Sequence, residues 1–468
     1  MERKEKKSFE MPHGFIVILI VLALCSVLTW ILPAGQFERI YDDNLGREIV
    51  VPDSYTEIEA NPVGPWEFFQ AIYTGMTKAS NIIFFIIFAS GYVFVLMRGG
   101  ALNAFVGSIL RKLGNKDYLL IPIFMILFGI AGSTFGMYEE TYGLIPAFIV
   151  IAITLGYDRL VGGSIVFVGV ATGFASAVLN PFTIGIASDI AGIPLVSFKL
   201  TTFRIVCFIL FETLSISYVM RYAKKIRKDP TKSILYGNEE ENSLTSEALT
   251  RDEVLKLNFT TRQKLSLIVF VVLICLIAYT VVVYEFYLTE LSAMFLIAMI
   301  VTGIINKMSS KEICDAFLES TSMSMYGALF IGLSRSCSVV LEQANVIDTA
   351  ILYLSGAINA LPNWFGSIGM LIVQNLIGFF ITSGSGMAVV TMPIMAPLSD
   401  LIGMSREMAV TAYQFGDGFS NIFWPTVVAT VCGIIGVGID KWYKFITPLF
   451  LMMFLLQCVM MLVGGVIF

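Results

Sequence analysis

The sequence predicts an all-α polytopic membrane protein built from inverted-topology repeats, with two re-entrant hairpins and discontinuous helices. Three observations predict it. Of 468 residues 57% are hydrophobic and only 14% charged, and the mean hydropathy is +0.81. Uncharged runs of spanning length recur along the chain, and two further apolar stretches are broken near the middle. Short motifs in the first half recur in order in the second. Soluble domains run at about 45–50% apolar and about 25% charged, so 14% cannot cover a soluble surface.

Composition also excludes. The one histidine, His13, precedes the first apolar run and cannot serve a buried Ser–His–Asp triad or a zinc centre. No Gly-Lys dipeptide occurs, so there is no Walker A loop. The seven cysteines form no C-x-x-C pair, and all but Cys314 sit in apolar runs as small hydrophobes. The net charge of −5 argues against a nucleic-acid partner. No cofactor or metal is implied.

The spans follow in order. Residues 14–32 have a basic start (Arg3, Lys4, Lys6, Lys7) and no A-x-A cleavage site, and read as an uncleaved first span. Further runs lie at 79–97, 160–188, 201–220, 265–284, 291–306, 321–340, 407–438 and 445–467. Residues 118–156 break at Gly132-Ser133-Thr134-Phe135-Gly136, and 364–401 at Thr382-Ser383-Gly384-Ser385-Gly386. Their limbs look short for full spans, so each reads as a hairpin with its tip inside the membrane, where irregular backbone survives only against protein or a cavity. Two short tilted spans joined by a glycine turn are the alternative. Semi-polar stretches at 100–113 and 343–359 read as interfacial helices. With the N-terminus cytoplasmic and both hairpins re-entrant, 23 of the 30 Lys/Arg fall inside and six outside, and Arg335 alone lies within a span.

The repeats cover roughly 66–222 and 311–467. Gly136-Met137-Tyr138-Glu139-Glu140-Thr141 lines up with Gly386-Met387-Ala388-Val389-Val390-Thr391, and Gly156-Tyr157-Asp158-Arg159 with Gly403-Met404-Ser405-Arg406. Gly173-Phe174-Ala175-Ser176 matches Gly418-Phe419-Ser420-Asn421, and Asn180-Pro181-Phe182-Thr183 falls opposite Trp424-Pro425-Thr426. Pro181 and Pro425 interrupt apolar runs and free carbonyls upstream. Broken helices facing hairpin tips are the usual site architecture of secondary transporters.

Candidate substrate-binding residues are Ser133, Thr134, Glu139, Glu140, Asn180, Thr183, Ser383, Ser385, Asp417, Asn421 and Thr426. Ser133, Asn180, Ser385, Asp417 and Asn421 are also candidates for holding a coupling Na+ or H+. Helix N-termini and hydroxyls suit a carboxylate. The acids Glu139, Glu140 and Asp417 have uncharged repeat partners (Val389, Val390, Thr172), so they set charge and not architecture. Glu139 and Glu140 also suit a helix's first turn, where acids offset the macrodipole. Arg335 is either functional or snorkelling. Glu212, deep in its span, is a further functional candidate.

On Gly132 to Thr141, Asn180-Pro181-Phe182, Ser383-Gly384-Ser385-Gly386 and Ala412-Tyr413-Gln414-Phe415-Gly416-Asp417-Gly418, the chain resembles the YfcC family. That family is related to the C4-dicarboxylate anaerobic carriers of the ion transporter superfamily. The resemblance implies an elevator-type secondary transporter, often a homodimer, in a bacterial inner membrane. It divides the chain into a cytoplasmic N-terminus (1–13), scaffold helices (14–97), an arm (98–117), a transport part (118–222) and a cytoplasmic linker (223–264). Scaffold helices (265–340), an arm (341–363) and a transport part (364–468) then repeat the order. Relatives are described as carriers of C4-dicarboxylates or as exchangers of basic amino acids such as arginine and ornithine. The Ser-Asn-Thr tip signature of the superfamily's sodium-dependent dicarboxylate branch is absent, with Gly-Ser-Thr at 132–134 and Ser-Gly-Ser at 383–385. The expectation is therefore not an enzyme but a secondary transporter of a small carboxylate-bearing solute, with a basic amino acid ahead of a C4-dicarboxylate. An ion channel is the rival class.

Overall fold

The computed structural model describes residues 14–42, 47–237, 251–284, 286–359 and 365–468. The readings at His13 and its basic neighbours, and the acidic run Glu239-Glu240-Glu241, lie outside them. α1 (Gly14–Ile31) is the first apolar run. Two short antiparallel pairs follow: β1 (Gly35–Gln36) with β4 (Thr56–Glu57), and β2 (Arg39–Asp42) with β3 (Arg47–Val50). α2 (Pro65–Lys78) and α3 (Ser80–Arg98) are joined through helical Ala79. The sequence reading did not predict α2, which carries Glu67 and Lys78 and is too short for a span. Pro65 opens it where no donor is needed, and the two charges complement its dipole.

α4 (Ala101–Leu113) falls in the stretch that the sequence reading expects to be the first arm. α5 (Leu120–Ile130) ends in a π-helical turn, Ala131–Phe135, closed by left-handed Gly136. A 3-10 turn, Glu139–Leu144, leads into α6 (Ile145–Thr154). α7 (Arg159–Ala175) is broken from α8 (Ile186–Ala191) by a π-helical turn that starts at Pro181. α9 (Phe198–Lys228) then runs 31 residues. It absorbs the basic stretch expected to begin the linker, because lysines and arginines suit a helix C-terminus.

The second half holds α10 (Arg251–Lys256), α11 (Thr261–Tyr284), α12 (Leu288–Ile305) and α13 (Ser310–Gln343). α14 (Ile347–Asn359), in the stretch expected to be the second arm, is bent by 82° from the end of α13. α15 (Gly366–Phe380) and α16 (Gly384–Leu401) flank the break at Ile381–Ser383. α17 (Arg406–Ser420) and α18 (Pro425–Ile435) are bent by 41°, and α19 (Ile439–Ile467) ends the chain.

Among the described residues six helices are long and apolar enough to cross a membrane, or up to eight if each bent pair is one span. This is a multi-pass membrane protein. One of the six is Lys116–Phe135, at 20 residues. The sequence reading made it a short hairpin limb, but the turns at both ends of α5 lengthen it.

α1, α2, α3, α11, α12 and α13 pack on one another, and the remaining long helices gather around α7 and α17. Small residues permit close crossings, as is usual between membrane helices. A Cβ on Gly75 would lie 2.6 Å from the Gly332 carbonyl oxygen, and one on Gly418 would lie 2.3 Å from Ala175 Cα.

The two ends of each broken stretch lie close together. Arg227 donates to Asp117 Oδ1 at 2.7 Å and to the Tyr157 hydroxyl at 3.0 Å, so 117 and 157 share one end. The Phe148 ring meets those of Phe124 and Phe128. Likewise Gly366 packs on Ile402.

The two broken helices run in opposite directions, and two arginines fix this. Arg159, at the start of α7, donates to the Gly436 carbonyl at 3.0 Å, just past the end of α18. Arg406, at the start of α17, donates to the Ala191 carbonyl at 2.8 Å, at the end of α8. Gly192 and Gly436 are both left-handed, the usual helix stop. The remaining C-terminal carbonyl is met by an arginine from the other half.

Arg159 is 3% exposed, whereas the Arg406 side chain is 39% exposed and also pairs with Asp400. Loss of a buried charged hydrogen bond costs about 1.5–3 kcal/mol. Arg159→Ala is therefore expected to lower the melting temperature in detergent more than Arg406→Ala does. Differential scanning fluorimetry of both variants checks the order.

Candidate functional site

The four interruptions meet at one cavity of ≈ 560 Å³. Gly136 and Tyr138 reach it from the first break, and Phe182 and Thr183 from the second. Thr382 to Ser385 reach it from the third, and Asn421 and Thr426 from the fourth. Lys78, Tyr287 and Arg335 come from the other helix group.

Local sequence explains each position. Gly136 has φ +69°, and a Cβ there would sit 2.5 Å from Asn180 Oδ1, so both backbone and space require glycine. Asn180 Oδ1 itself accepts from the Phe182 amide at 2.9 Å and caps the turn after the break. Gly384 is wedged between the halves: a Cβ there would lie 2.7 Å from Asp417 Oδ2 and 2.8 Å from Thr183 Cγ2. The Tyr413 hydroxyl donates to the Gly384 carbonyl at 2.7 Å. Ser383 caps α16 and accepts from the Gly386 amide at 3.3 Å. Thus α16 and α18 both begin at the cavity and turn their positive ends towards it.

The charges fall on two walls. Glu139 accepts from the Tyr287 hydroxyl at 2.8 Å, while Glu140 accepts from the Tyr138 amide at 2.8 Å. The adjacent acids therefore differ: Glu140 closes its own turn, and Glu139 faces the other helix group. Lys78 and Arg335 both reach Glu342, at 2.6 and 3.5 Å. Lys78 and Tyr287 are exposed, so the cavity opens at that end.

Deeper in, partners are missing. Both oxygens of Asp417, the Asn180 amide nitrogen, Asn421 Oδ1 and the hydroxyls of Thr183 and Thr426 are buried without a hydrogen-bond partner. Buried polar groups are normally paired. This set lies around the four breaks, an arrangement suited to a small polar or charged solute or ion.

The profile of the C4-dicarboxylate anaerobic carriers (DcuC) matches residues 11–465. The chain belongs to this family. A Haemophilus influenzae protein described as uncharacterized is 28% identical over 501 residues, covering 98% of each chain. The putative basic amino acid antiporter YfcC of Escherichia coli is 29% identical over 505 residues, 98% of this chain and 97% of its own. Among solved structures, the Alcanivorax borkumensis YdaH transporter aligns with TM-score 0.41 at 16% identity, over 97% of this chain and 98% of its own. Neisseria gonorrhoeae MtrF, described among antimetabolite efflux pumps, aligns with TM-score 0.39 at 18% identity, over 97% and 96%.

In this DcuC family member, seven of the eleven candidate residues line the cavity: Glu139, Glu140, Thr183, Ser383, Ser385, Asn421 and Thr426. Four do not. Asn180 and Asp417 lie buried just behind it. Ser133 is spent on the backbone: its hydroxyl donates to the Ser176 carbonyl at 3.3 Å and accepts from the Val178 amide at 3.1 Å. Thr134 bonds back to the Ile130 carbonyl at 2.5 Å. Arg335, doubtful from sequence, lines the cavity. Glu212 is buried and unpartnered against Gly129, outside the lining. Sequence reasoning missed Lys78 and Tyr287, and quoted Tyr138 only as part of the first-break motif; nothing in one dimension brings Lys78 or Tyr287 to the tips.

A fully buried carboxyl group short of hydrogen-bond partners is costly. Asp417→Asn is therefore expected to raise the melting temperature of the solute-free protein, whereas substitution of a structural residue lowers it. Calorimetry or fluorimetry on the detergent-purified protein distinguishes the two.

Proposed function

We propose that this protein is a secondary transporter of a small carboxylate-bearing amino acid, with basic amino acids such as arginine and ornithine as the favoured, exchanged pair. One observation carries this reading: the cavity pairs helix N-termini and two cations with acids at the first break. A carboxylate meets the start of α16 together with Lys78 or Arg335, and a cationic side chain meets Glu139, displacing the Tyr287 hydroxyl. The Escherichia coli relative's description as a putative basic amino acid antiporter points the same way. A C4-dicarboxylate is the second reading, favoured by the family's name and by Lys78 and Arg335 together.

The architecture proposed for this activity is an inverted repeat with re-entrant hairpins. The reciprocal bonds of Arg159 and Arg406 support it, because these residues occupy matching repeat positions. Scaffold segments 14–97 and 265–340 carry an elevator-like transport part, 118–222 with 364–468, through arms at 98–117 and 341–363. Lys/Arg placement supports a cytoplasmic N-terminus in a bacterial inner membrane, which turns the cavity outward. Asp417, Asn421 and Asn180 are the proposed Na+ or H+ coupling groups. The working unit is a homodimer.

Proteoliposomes loaded with ornithine are expected to take up labelled arginine faster than unloaded ones. Glu139→Gln is expected to raise the half-saturating arginine concentration about tenfold or more, as loss of a charged hydrogen bond predicts. Matched vesicles loaded with fumarate receive labelled fumarate. Fumarate exchange without arginine exchange overturns the amino-acid reading, and single-channel currents without counterflow overturn the carrier.

A further inference from the structure

A second pocket lies far from the helix breaks, where the end of α3, the start of α11 and the α12–α13 turn meet. Its volume is ≈ 470 Å³. Three cations line it, Arg98, Arg262 and Lys307, with Glu312 the one acid. The uncharged polar groups are already used. Gln263 Nε2 donates to the Gly99 carbonyl at 3.3 Å. Asn306 Nδ2 donates to Ser266 Oγ at 2.8 Å and to the Thr302 carbonyl at 2.9 Å. These bonds set the walls without filling the space.

The charges divide in the same way. Glu312 turns back to its own helix start, accepting from the Ser309 amide at 2.6 Å and the Ser309 hydroxyl at 2.8 Å. Arg98 pairs with Glu319. Among the described residues Arg262 and Lys307 have no acidic partner within salt-bridge distance. Lys307 sits at φ 55°, a conformation that usually draws glycine, asparagine or aspartate, yet the position carries a long cation.

What leads away from the pocket is apolar and exposed. On α11, Leu265, Ile268 and Val272 are 45%, 56% and 49% exposed, and Leu265 stands one turn from Arg262. On α12, Ile297, Ile300 and Ile304 are 63%, 51% and 67% exposed and end three residues before Lys307. Two greasy strips therefore converge on two uncommitted cations at the membrane's edge.

We propose that this pocket binds the phosphate of an anionic phospholipid, with its acyl chains along the exposed strips of α11 and α12. The phosphate lies between Arg262 and Lys307. Basic pockets between membrane helices hold such headgroups in general. A free phosphate shares the headgroup chemistry but makes no use of the strips. The site is independent of the transported solute.

The test is native mass spectrometry of the full-length protein with phosphatidylglycerol, phosphatidylcholine or inorganic phosphate added. Bound phosphatidylglycerol is expected to fall about tenfold or more in the Arg262→Gln/Lys307→Gln variant, the loss of two surface-potential contacts, with phosphatidylcholine binding unchanged. The charge-keeping Arg262→Lys/Lys307→Arg variant is expected to retain phosphatidylglycerol. Equal retention by the glutamine variant overturns the proposal, as does displacement of the lipid by millimolar inorganic phosphate. Should the double variant fail to fold, Lys307→Gln alone, on an exposed turn, gives the same reading.

Discussion

Peptide groups cannot be left unmet in apolar surroundings, and a helix that breaks there must find partners for the groups it frees. This chain breaks four times in mid-bundle and meets the demand across elements. Ser133 receives the Val178 and Leu179 amides on its carbonyl at 3.0 and 3.1 Å. The Trp424 indole donates to the Asn375 carbonyl at 2.6 Å, and the Trp442 indole to the Ile422 carbonyl at 3.0 Å. The Tyr443 hydroxyl reaches the Phe423 carbonyl at 2.8 Å, and Gln414 reaches the Phe174 carbonyl. The first and second breaks thus bond to each other, while the carbonyls of the fourth are met from α19. The cavity is what remains between the four breaks.

The polar groups thus have two fates. Ser133 and Thr134 are consumed in holding the breaks, whereas Thr183, Asn421, Thr426 and Asp417 keep atoms without partners. At the first break the Ser133 and Thr134 hydroxyls go to nearby carbonyls. Near the second and fourth, proline removes a donor, and tryptophan and asparagine meet much of the remaining demand.

Much of this was legible in the sequence, for local reasons. Glycine and hydroxyl clusters at 132–136 and 382–386 and the prolines at 181 and 425 interrupt the helix chemically, whatever surrounds them. Seven of eleven candidate residues accordingly reach the cavity. What was illegible depends on distant partners. Lys78 is 264 positions from Glu342, and Tyr287 is 148 from Glu139. α2 escaped notice because an amphipathic helix with exposed Trp66, Phe69 and Tyr73 resembles a polar connector once a spanning length is demanded.

The two reciprocal arginine bonds set an order for biosynthesis. α8 ends at Ala191, and the guanidinium that meets its carbonyl is 215 residues further on. The bond between Arg159 and the carbonyl beyond α18 spans 277. The first half of the chain therefore enters the bilayer before either of these cross-half bonds can form. Neither forms until the second half arrives in the opposite direction. A nascent chain halted at the linker is a half-closed object that only its own remainder can complete.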